Sequence, residues 1–133
     1  MSNYNNKSSN NLSVASDLHT SNHFCQSVHC SYYATLQMMD HILLTKTNGI
    51  GALGIQNNQK NGQSSHNDKF SLFVLSFKKR MSKKDLNDIN TEFFKIKNLR
   101  KKGDYSDKLV TQKESKNSLD SSNKICNILN TIK

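Results

Sequence analysis

The sequence predicts an all-α helical bundle, and three observations support that fold class. Apolar residues recur at helical spacing in four segments, no segment alternates in the way a strand does, and there is no internal repeat. Proline is absent and only 5 of the 133 residues are glycine, which does not fit a turn-dense β fold. A chain of this length has room for one domain.

The N-terminal segment, residues 1–20, is predicted to be a flexible leader. Ser and Asn dominate it, and it contains few apolar side chains. Such a segment is not expected to bury enough surface to offset the entropy lost on ordering. No more than a turn of helix is expected at Leu12–Leu18. The single helical domain is therefore predicted to span residues 21–133.

The first predicted helix begins near His23 and ends before Asn48-Gly49. Its apolar stripe follows four- and three-residue steps over about five turns, and its members are Phe24, Val28, Ser31, Thr35, Met38 and Ile42. A Gly/Asn-rich loop is predicted over residues 47–65, because four of the five glycines fall there.

Three more helices are predicted in the second half. The second helix runs from Asn67 to Arg80, with Phe70, Phe73, Val74 and Phe77 on one face. The third follows an N-cap at Ser82 and ends at Gly103; its apolar residues are Leu86, Ile89, Phe93, Ile96 and Leu99. The fourth opens at Thr111, which with Glu114 resembles a capping box, and its face is Leu119, Ile125, Cys126, Ile128, Leu129 and Ile132.

A bundle of this size has a small core, so Tyr32-Tyr33 and Phe93-Phe94 are hard to bury together within one chain. We therefore expect a homodimer. No apolar run approaches the roughly 20 residues of a membrane span, and no secretory signal is evident, so a soluble cytoplasmic protein without a membrane partner is expected. Three cysteines do not make a disulfide scaffold.

The positive charge is concentrated in the second half of the chain. The net charge is +9, of which residues 1–67 contribute +1 and residues 68–133 contribute +8. This half is predicted to attract phosphate groups or another acidic partner. The binding residues proposed are Lys83, Lys84, Lys97, Arg100, Lys101 and Lys102. A solvated polar face is the alternative interpretation. Lysine supplies charge but little base recognition, so RNA binding would be salt-sensitive.

Arg100 is the single residue that the pattern distinguishes most clearly. It lies close to the apolar phase of Phe93 and Ile96, where a guanidinium needs an acceptor. One hypothesis is a capping cluster in which Arg100 pairs with Asp104, Gly103 ends the helix and Tyr105 packs over the join. The other is an arginine that holds a phosphate, with Asp104 and Tyr105 beside it.

Three segments resemble the HEPN superfamily, in particular its small prokaryotic members with an Arg-x-x-x-Asp-Tyr segment. These are Ser31-Tyr32-Tyr33-Ala34 on the first helix, Ser65-His66 before the second, and the run from Leu99 to Asp107. The resemblance covers about residues 20–133. It implies a four- or five-helix bundle of up-and-down antiparallel helices that dimerises near the motif. It also implies a role in RNA metabolism, or pairing with a nucleotidyltransferase-type protein in a toxin–antitoxin system.

The motif departs from that of the ribonuclease members, which carry a histidine four to six residues after the arginine. No histidine follows His66 in this chain. The function predicted is therefore a non-catalytic dimerisation and binding module. The alternative is a metal-independent ribonuclease toxin, in which Arg100, Asp104 and Tyr105 would carry the reaction.

One cluster near the start of the first helix has side chains of the kinds that bind zinc, and it consists of His23, Cys25, His29 and Cys30. On a helix only Cys25 and His29 share a face, and no second ligand pair follows. No metal is therefore predicted. No cofactor fingerprint of the P-loop or dinucleotide type is present, so no cofactor is predicted either.

Overall fold

The computed structural model describes residues 3–46 and 66–132, and within those ranges it contains five α-helices and no strand. They are α1 (Tyr4–Thr20), α2 (Phe24–Lys46), α3 (His66–Phe77), α4 (Lys83–Tyr105) and α5 (Gln112–Leu129). The all-α prediction is confirmed. The loop predicted at residues 47–65 lies outside the described residues. Among the helices described, none is both long and apolar enough to cross a membrane.

Helix α2 is the centre of the bundle and contacts each of the other four helices. Ser8 and Ser27 show that α1 and α2 are antiparallel, because they hydrogen-bond the carbonyl oxygens of Ala34 and Ala15, respectively. Helices α2 and α4 are antiparallel, because His29 contacts Asp104 and Tyr33 contacts Arg100. Helices α4 and α5 are antiparallel as well, because Lys102 pairs with Glu114 near one end and Lys124 approaches Asp88 near the other.

The N-terminal segment corrects the sequence prediction, because residues 4–20 form a helix and not a flexible leader. Ser8 and Ala15 are fully buried against the bundle. The Ser8 hydroxyl donates to the carbonyl of Ala34 at 2.7 Å. Small side chains let the helix backbones approach closely, and hydroxyls bonded to carbonyls remove most of the penalty of burying them. Counting apolar residues therefore underestimated what this segment can bury.

The same serine chemistry joins α2 to α5. Four serines of α5 are buried, namely Ser115, Ser118, Ser121 and Ser122. Ser122 donates to the carbonyl of Ser31 at 2.9 Å, and its hydroxyl lies 2.9 Å from that of Thr35. The larger apolar side chains fill the other side of α2, where Phe70 and Phe93 stack with ring centroids 4.2 Å apart.

Two aromatic pairs are divided between the core and the surface. Tyr32 and Phe93 are fully buried, whereas Phe94 is 45% exposed and Tyr33 is partly buried. This division follows from helical geometry, since consecutive residues point about 100° apart. The expectation that all four rings could not be buried within one chain agrees with this arrangement.

Most of the predicted helix limits hold, and two do not. Ser82 caps α4 by accepting from the backbone N–H of Asp85, and Thr111 and Glu114 form the predicted capping box. Helix α3 ends at Phe77 and not at Arg80, and α4 continues past Gly103 to Tyr105.

Gly103 is a close-packing residue and not a helix stop. A Cβ atom at this position would lie 3.3 Å from Cγ2 of Val110 and 3.5 Å from the Cα of Cys25. The glycine thus lies where the last turns of α4 contact the first turn of α2, with Val110 as its tightest neighbour. This close approach brings Asp104 and Arg100 next to α2.

Candidate functional site

Arg100 lies where α4 crosses α2, and only 11% of its side chain is exposed. Its position on the buried face of α4 follows from Ile96 and Phe93, which are buried one turn and two turns earlier. Its Nε donates to Oδ2 of Asp104 at 3.1 Å, as the i, i+4 spacing predicted. The guanidinium therefore has the acceptor that a nearly buried arginine requires.

Three tyrosines surround the Arg100 guanidinium, and we refer to Tyr32, Tyr33 and Tyr105 as the tyrosine cluster. The guanidinium carbon lies 5.1 to 5.6 Å from each of the three ring centroids. One terminal nitrogen donates to the hydroxyl of Tyr105 at 2.9 Å and to that of Tyr33 at 3.3 Å. Tyr32 is buried, and burial raises the pKa of its hydroxyl while Arg100 opposes that rise. The cluster fixes the arginine through cation–π contacts and hydrogen bonds.

His29 extends this network across the surface of α2. Its Nδ1 lies 2.8 Å from Oδ2 of Asp104, the same oxygen that accepts from Arg100. The imidazole also packs on Tyr33, with ring centroids 4.7 Å apart. A histidine is thus linked to Arg100 through the carboxylate of Asp104, although no histidine follows the arginine in the sequence.

The five predicted lysines separate into two pairs and one residue, Lys102, that lies apart from both. Lys97 and Lys101 share the Arg100 face of α4, and Lys97 lies over the ring of Phe94 at 5.6 Å. Burial lowers the pKa of Lys97, and the charge of Lys101 adds to that effect. Lys83 and Lys84 are exposed at the other end of α4, with Lys83 about 25 Å from Arg100 along the helix.

Lys102 turns away from this face and pairs with Glu114. Its Nζ donates to the two carboxylate oxygens at 2.8 and 3.0 Å. The same carboxylate accepts from the backbone N–H of Thr111 at 3.0 Å. Lys102 therefore joins the end of α4 to the start of α5, and the six predicted binding residues do not form one continuous patch.

A cleft of about 470 Å³ opens beside the Arg100 network. It lies between the end of α1, the start of α2 and the end of α4, and its walls include Cys25, Gln26, His29, Cys30, Gly103 and Asp104. Asp104 and His29 belong both to the cleft and to the network. The volume is in the range of small-molecule sites.

The described residues contain no group of three or more His, Cys, Asp or Glu side chains arranged to hold a metal ion. Cys25 and Cys30 are both free thiols at intermediate exposure, and burial raises the pKa of Cys30. These thiols line the cleft and do not form a recognisable ligand set with His23.

Sequence reasoning placed Arg100, Asp104 and Tyr105 together, and the structure does bring them together. It missed His29 as their partner and considered that residue only for zinc. The signal was present, because His29 and Tyr33 are four residues apart and therefore share one face of α2. The sequence did not indicate the register in which α2 and α4 pack against each other.

Comparison of the chain with protein-family models, with curated proteins and with solved structures returned no match. The resemblance to HEPN proteins thus stays a prediction carried by the quoted residues.

Proposed function

We propose that this chain is a non-catalytic helical module that binds single-stranded RNA at the Arg100 end of α4. The observation that carries the proposal is the combination of a fixed guanidinium, two lysines on the same helix face and aromatic rings that remain at the surface. Tyr105 is 73% exposed and Phe94 is 45% exposed. Proteins that bind single strands combine positive charge along the backbone with rings on which bases stack.

The charges of this end support RNA over a neutral partner. Arg100 is balanced by Asp104, and Lys97 and Lys101 add positive charge to the same end of α4. The half of the chain that contains them carries a net +8. A polyanion gains from such a surface by releasing its counterions, whereas an uncharged ligand does not.

The test is the affinity for a fluorescently labelled uridine dodecamer, measured by anisotropy at about 50 mM and about 200 mM salt. We expect the affinity to fall several-fold with salt and to fall at least about tenfold in Arg100→Ala, whose helical circular dichroism stays that of the wild type. Lys101→Ala should show a smaller loss.

Lys124→Ala is the matched control, because it removes one positive charge from α5, away from the cluster. Equal losses of RNA affinity in Lys124→Ala and Arg100→Ala would show that binding depends on net charge alone. An Arg100→Ala protein that is less stable but binds RNA normally would show that the capping-cluster interpretation is correct. Binding of a nucleotidyltransferase-type protein without RNA binding would show that the partner is a protein of that class and not RNA.

A metal-independent ribonuclease is the second candidate function, and the position of His29 favours it. An imidazole can accept a 2′-hydroxyl proton, and the Arg100 guanidinium can stabilise charge on the phosphate. RNA cleavage in EDTA that is lost in both His29→Ala and Arg100→Ala would establish this activity. Cleavage that persists in both variants would identify a contaminating nuclease.

We also propose that two copies associate through this end of the bundle. Leu109 is 81% exposed there. Sedimentation equilibrium should give a dimer that Leu109→Asp weakens, while Leu75→Asp, on α3, leaves it intact. A monomer at all concentrations would exclude the dimer.

A further inference from the structure

We propose that single-stranded RNA lies along the whole length of α4 and is not bound at the Arg100 end alone. This inference rests on the proposed function, because it extends the path of the same ligand. Successive residues of a helix are rotated by about 100°, so one face of α4 consists of the residues within about 60° of Phe94. We call this face the α4 stripe, and its members are Lys83, Asn87, Asn90, Thr91, Phe94, Lys97, Asn98, Lys101 and Tyr105.

The α4 stripe is open to solvent from one end of the helix to the other. Seven of its nine residues are exposed, and Asn90 and Lys97 are partly exposed. Lys83 and Lys101 are 18 residues apart, which is five full turns, so the two lysines point in the same direction. The stripe is about 33 Å long from Lys83 to Tyr105. At the stacked spacing of about 3.4 Å this length corresponds to about ten nucleotides, and to fewer in an extended strand.

The distribution of charge distinguishes the α4 stripe from the other faces of the helix. Its three charged residues are all lysines, and none of the four acidic residues of α4 lies on it. Asp88 and Glu92 approach Lys124 on α5. Asp104 contacts α2, and Asp85 lies on the side of the helix opposite the stripe. A phosphate backbone can therefore follow the stripe without approaching a carboxylate of α4.

Two rings on the α4 stripe are available for base stacking. Phe94 lies near its middle and is 45% exposed, and Tyr105 lies at its end and is 73% exposed. The two rings are about 17 Å apart along the helix. Phe70 supports the ring of Phe94 edge-on at 5.6 Å, and Arg100 donates to the hydroxyl of Tyr105 at 2.9 Å. The stripe thus combines positive charge with supported rings, as proteins that bind single strands do.

The uncharged members of the α4 stripe suit an RNA backbone as well. Three asparagines and one threonine lie between its lysines and its rings. Amide and hydroxyl groups donate hydrogen bonds to phosphate and sugar oxygens without adding charge. Lys83 is therefore joined to the Arg100 end by a continuous polar and aromatic surface.

The experiment measures the affinity of Asn87→Glu for the labelled uridine dodecamer. This variant adds one carboxylate to the α4 stripe about 27 Å from Tyr105, at an exposed position where glutamate favours the helix. We expect the affinity to fall about five- to tenfold at about 50 mM salt, because one unfavourable charge against a single strand has an effect of this size.

Asn117→Glu is the matched control. Asn117 is also an exposed asparagine four residues after a lysine, but it lies on α5 in a groove with Asp120 and Lys124. This variant should bind the dodecamer as the wild type does. Equal losses in Asn87→Glu and Asn117→Glu would attribute the effect to net charge and overturn the proposed path.

The salt dependence of dodecamer binding is the second measurement. Lys83→Ala should reduce the slope of log K against log salt by about 0.7, the value for one phosphate contact with a single strand. Lys124→Ala should leave the slope unchanged. If Lys83→Ala and Asn87→Glu both bind like the wild type while Arg100→Ala does not, the strand is bound at the Arg100 end alone and the path along α4 is disproved. If the wild type does not bind the dodecamer, the proposed function fails as well.

Discussion

His29 and Asp104 are 75 positions apart in the chain, yet Nδ1 of the imidazole lies 2.8 Å from Oδ2 of the carboxylate. The contact joins the start of α2 to the end of α4. Because Arg100 donates to the same oxygen, the three side chains form one continuous chain of hydrogen bonds. Two helices that are far apart in the sequence thus contribute to one site, and Gly103 lies at their contact.

Gly103 should tolerate alanine but not a longer side chain. Alanine gains up to about 1 kcal/mol in helix propensity, and a contact of 3.3 Å to Val110 offsets that gain, so the free energy of unfolding should change by less than about 0.5 kcal/mol. Gly103→Leu should lose about 1–3 kcal/mol through overpacking. Chemical denaturation measures both, with Asn98→Leu at an exposed site of α4 as the control. A stable Gly103→Leu protein would show that the helices can separate here without cost.

The first helix gives a prediction that uses two adjacent serines. Ser8→Ala should lower the free energy of unfolding by about 1 kcal/mol, because the carbonyl of Ala34 loses a buried donor. Ser9 is exposed, so Ser9→Ala should have almost no effect. Thermal and denaturant unfolding of the two variants would check this. Equal, negligible effects would mean that α1 does not pack on α2 in solution.

Glu114 should stabilise the fold above about pH 4.5 and stop doing so in acid. Hydrogen bonds from Lys102, and then from the backbone of Thr111, hold the pKa of this carboxyl below its ordinary value of 4.5. A pKa that is lower in the folded state contributes stability that is complete above the unfolded value and is lost as the pH falls through the folded value.

The measurement compares wild type with Glu114→Gln, in which the cap geometry is kept and the charge is lost. The wild type should be more stable by about 1 kcal/mol near pH 6, and the difference should disappear near pH 3. A difference that is constant over this range would assign the effect to packing and not to ionisation.

Asp40 should have the opposite pH dependence. It is buried on α2, and desolvation raises its pKa above the ordinary 3.8 although Lys69 donates to it at 2.9 Å. Its contribution to stability is therefore complete below pH 3.8 and is lost as the pH rises through the folded-state pKa.

Unfolding curves of wild type and Asp40→Asn between about pH 3 and about pH 7 test this sign. The loss of stability on raising the pH should be smaller in the variant. Asp17→Asn, an exposed carboxyl on α1, should follow the wild type. A larger loss in Asp40→Asn than in wild type would mean that Lys69 outweighs the cost of burial.

Local patterns in the sequence were sufficient for the elements whose cause is local. The stripe of α2, the Ser82 cap and the capping box at Thr111 depend on residues within a few positions of one another, and all are confirmed. The prediction that a helix ends at Gly103 was wrong, because the packing of this glycine depends on residues outside its own helix, among them Cys25 on α2.

The prediction of a flexible leader was wrong, and one partner in the site was not predicted, for related physical reasons. Composition counts apolar groups, but Ser8 and Ser27 are buried through bonds to carbonyls that composition does not register. Arg100 was identified because it breaks the apolar pattern of its own helix. Its partner His29 was not, since that pairing depends on how α2 and α4 align.

The central position of α2 links ligand recognition to global unfolding. This helix carries His29, Tyr32 and Tyr33, and it also contacts every other helix of the described chain. The site therefore exists only when the whole bundle is folded, and any compound that occupies it must draw the folding equilibrium toward the native state by mass action. A ligand present at one hundred times its Kd should stabilise the fold by about 2.7 kcal/mol. The melting temperature of the intact protein is thus a direct readout with which a library of nucleotides and oligonucleotides can be screened.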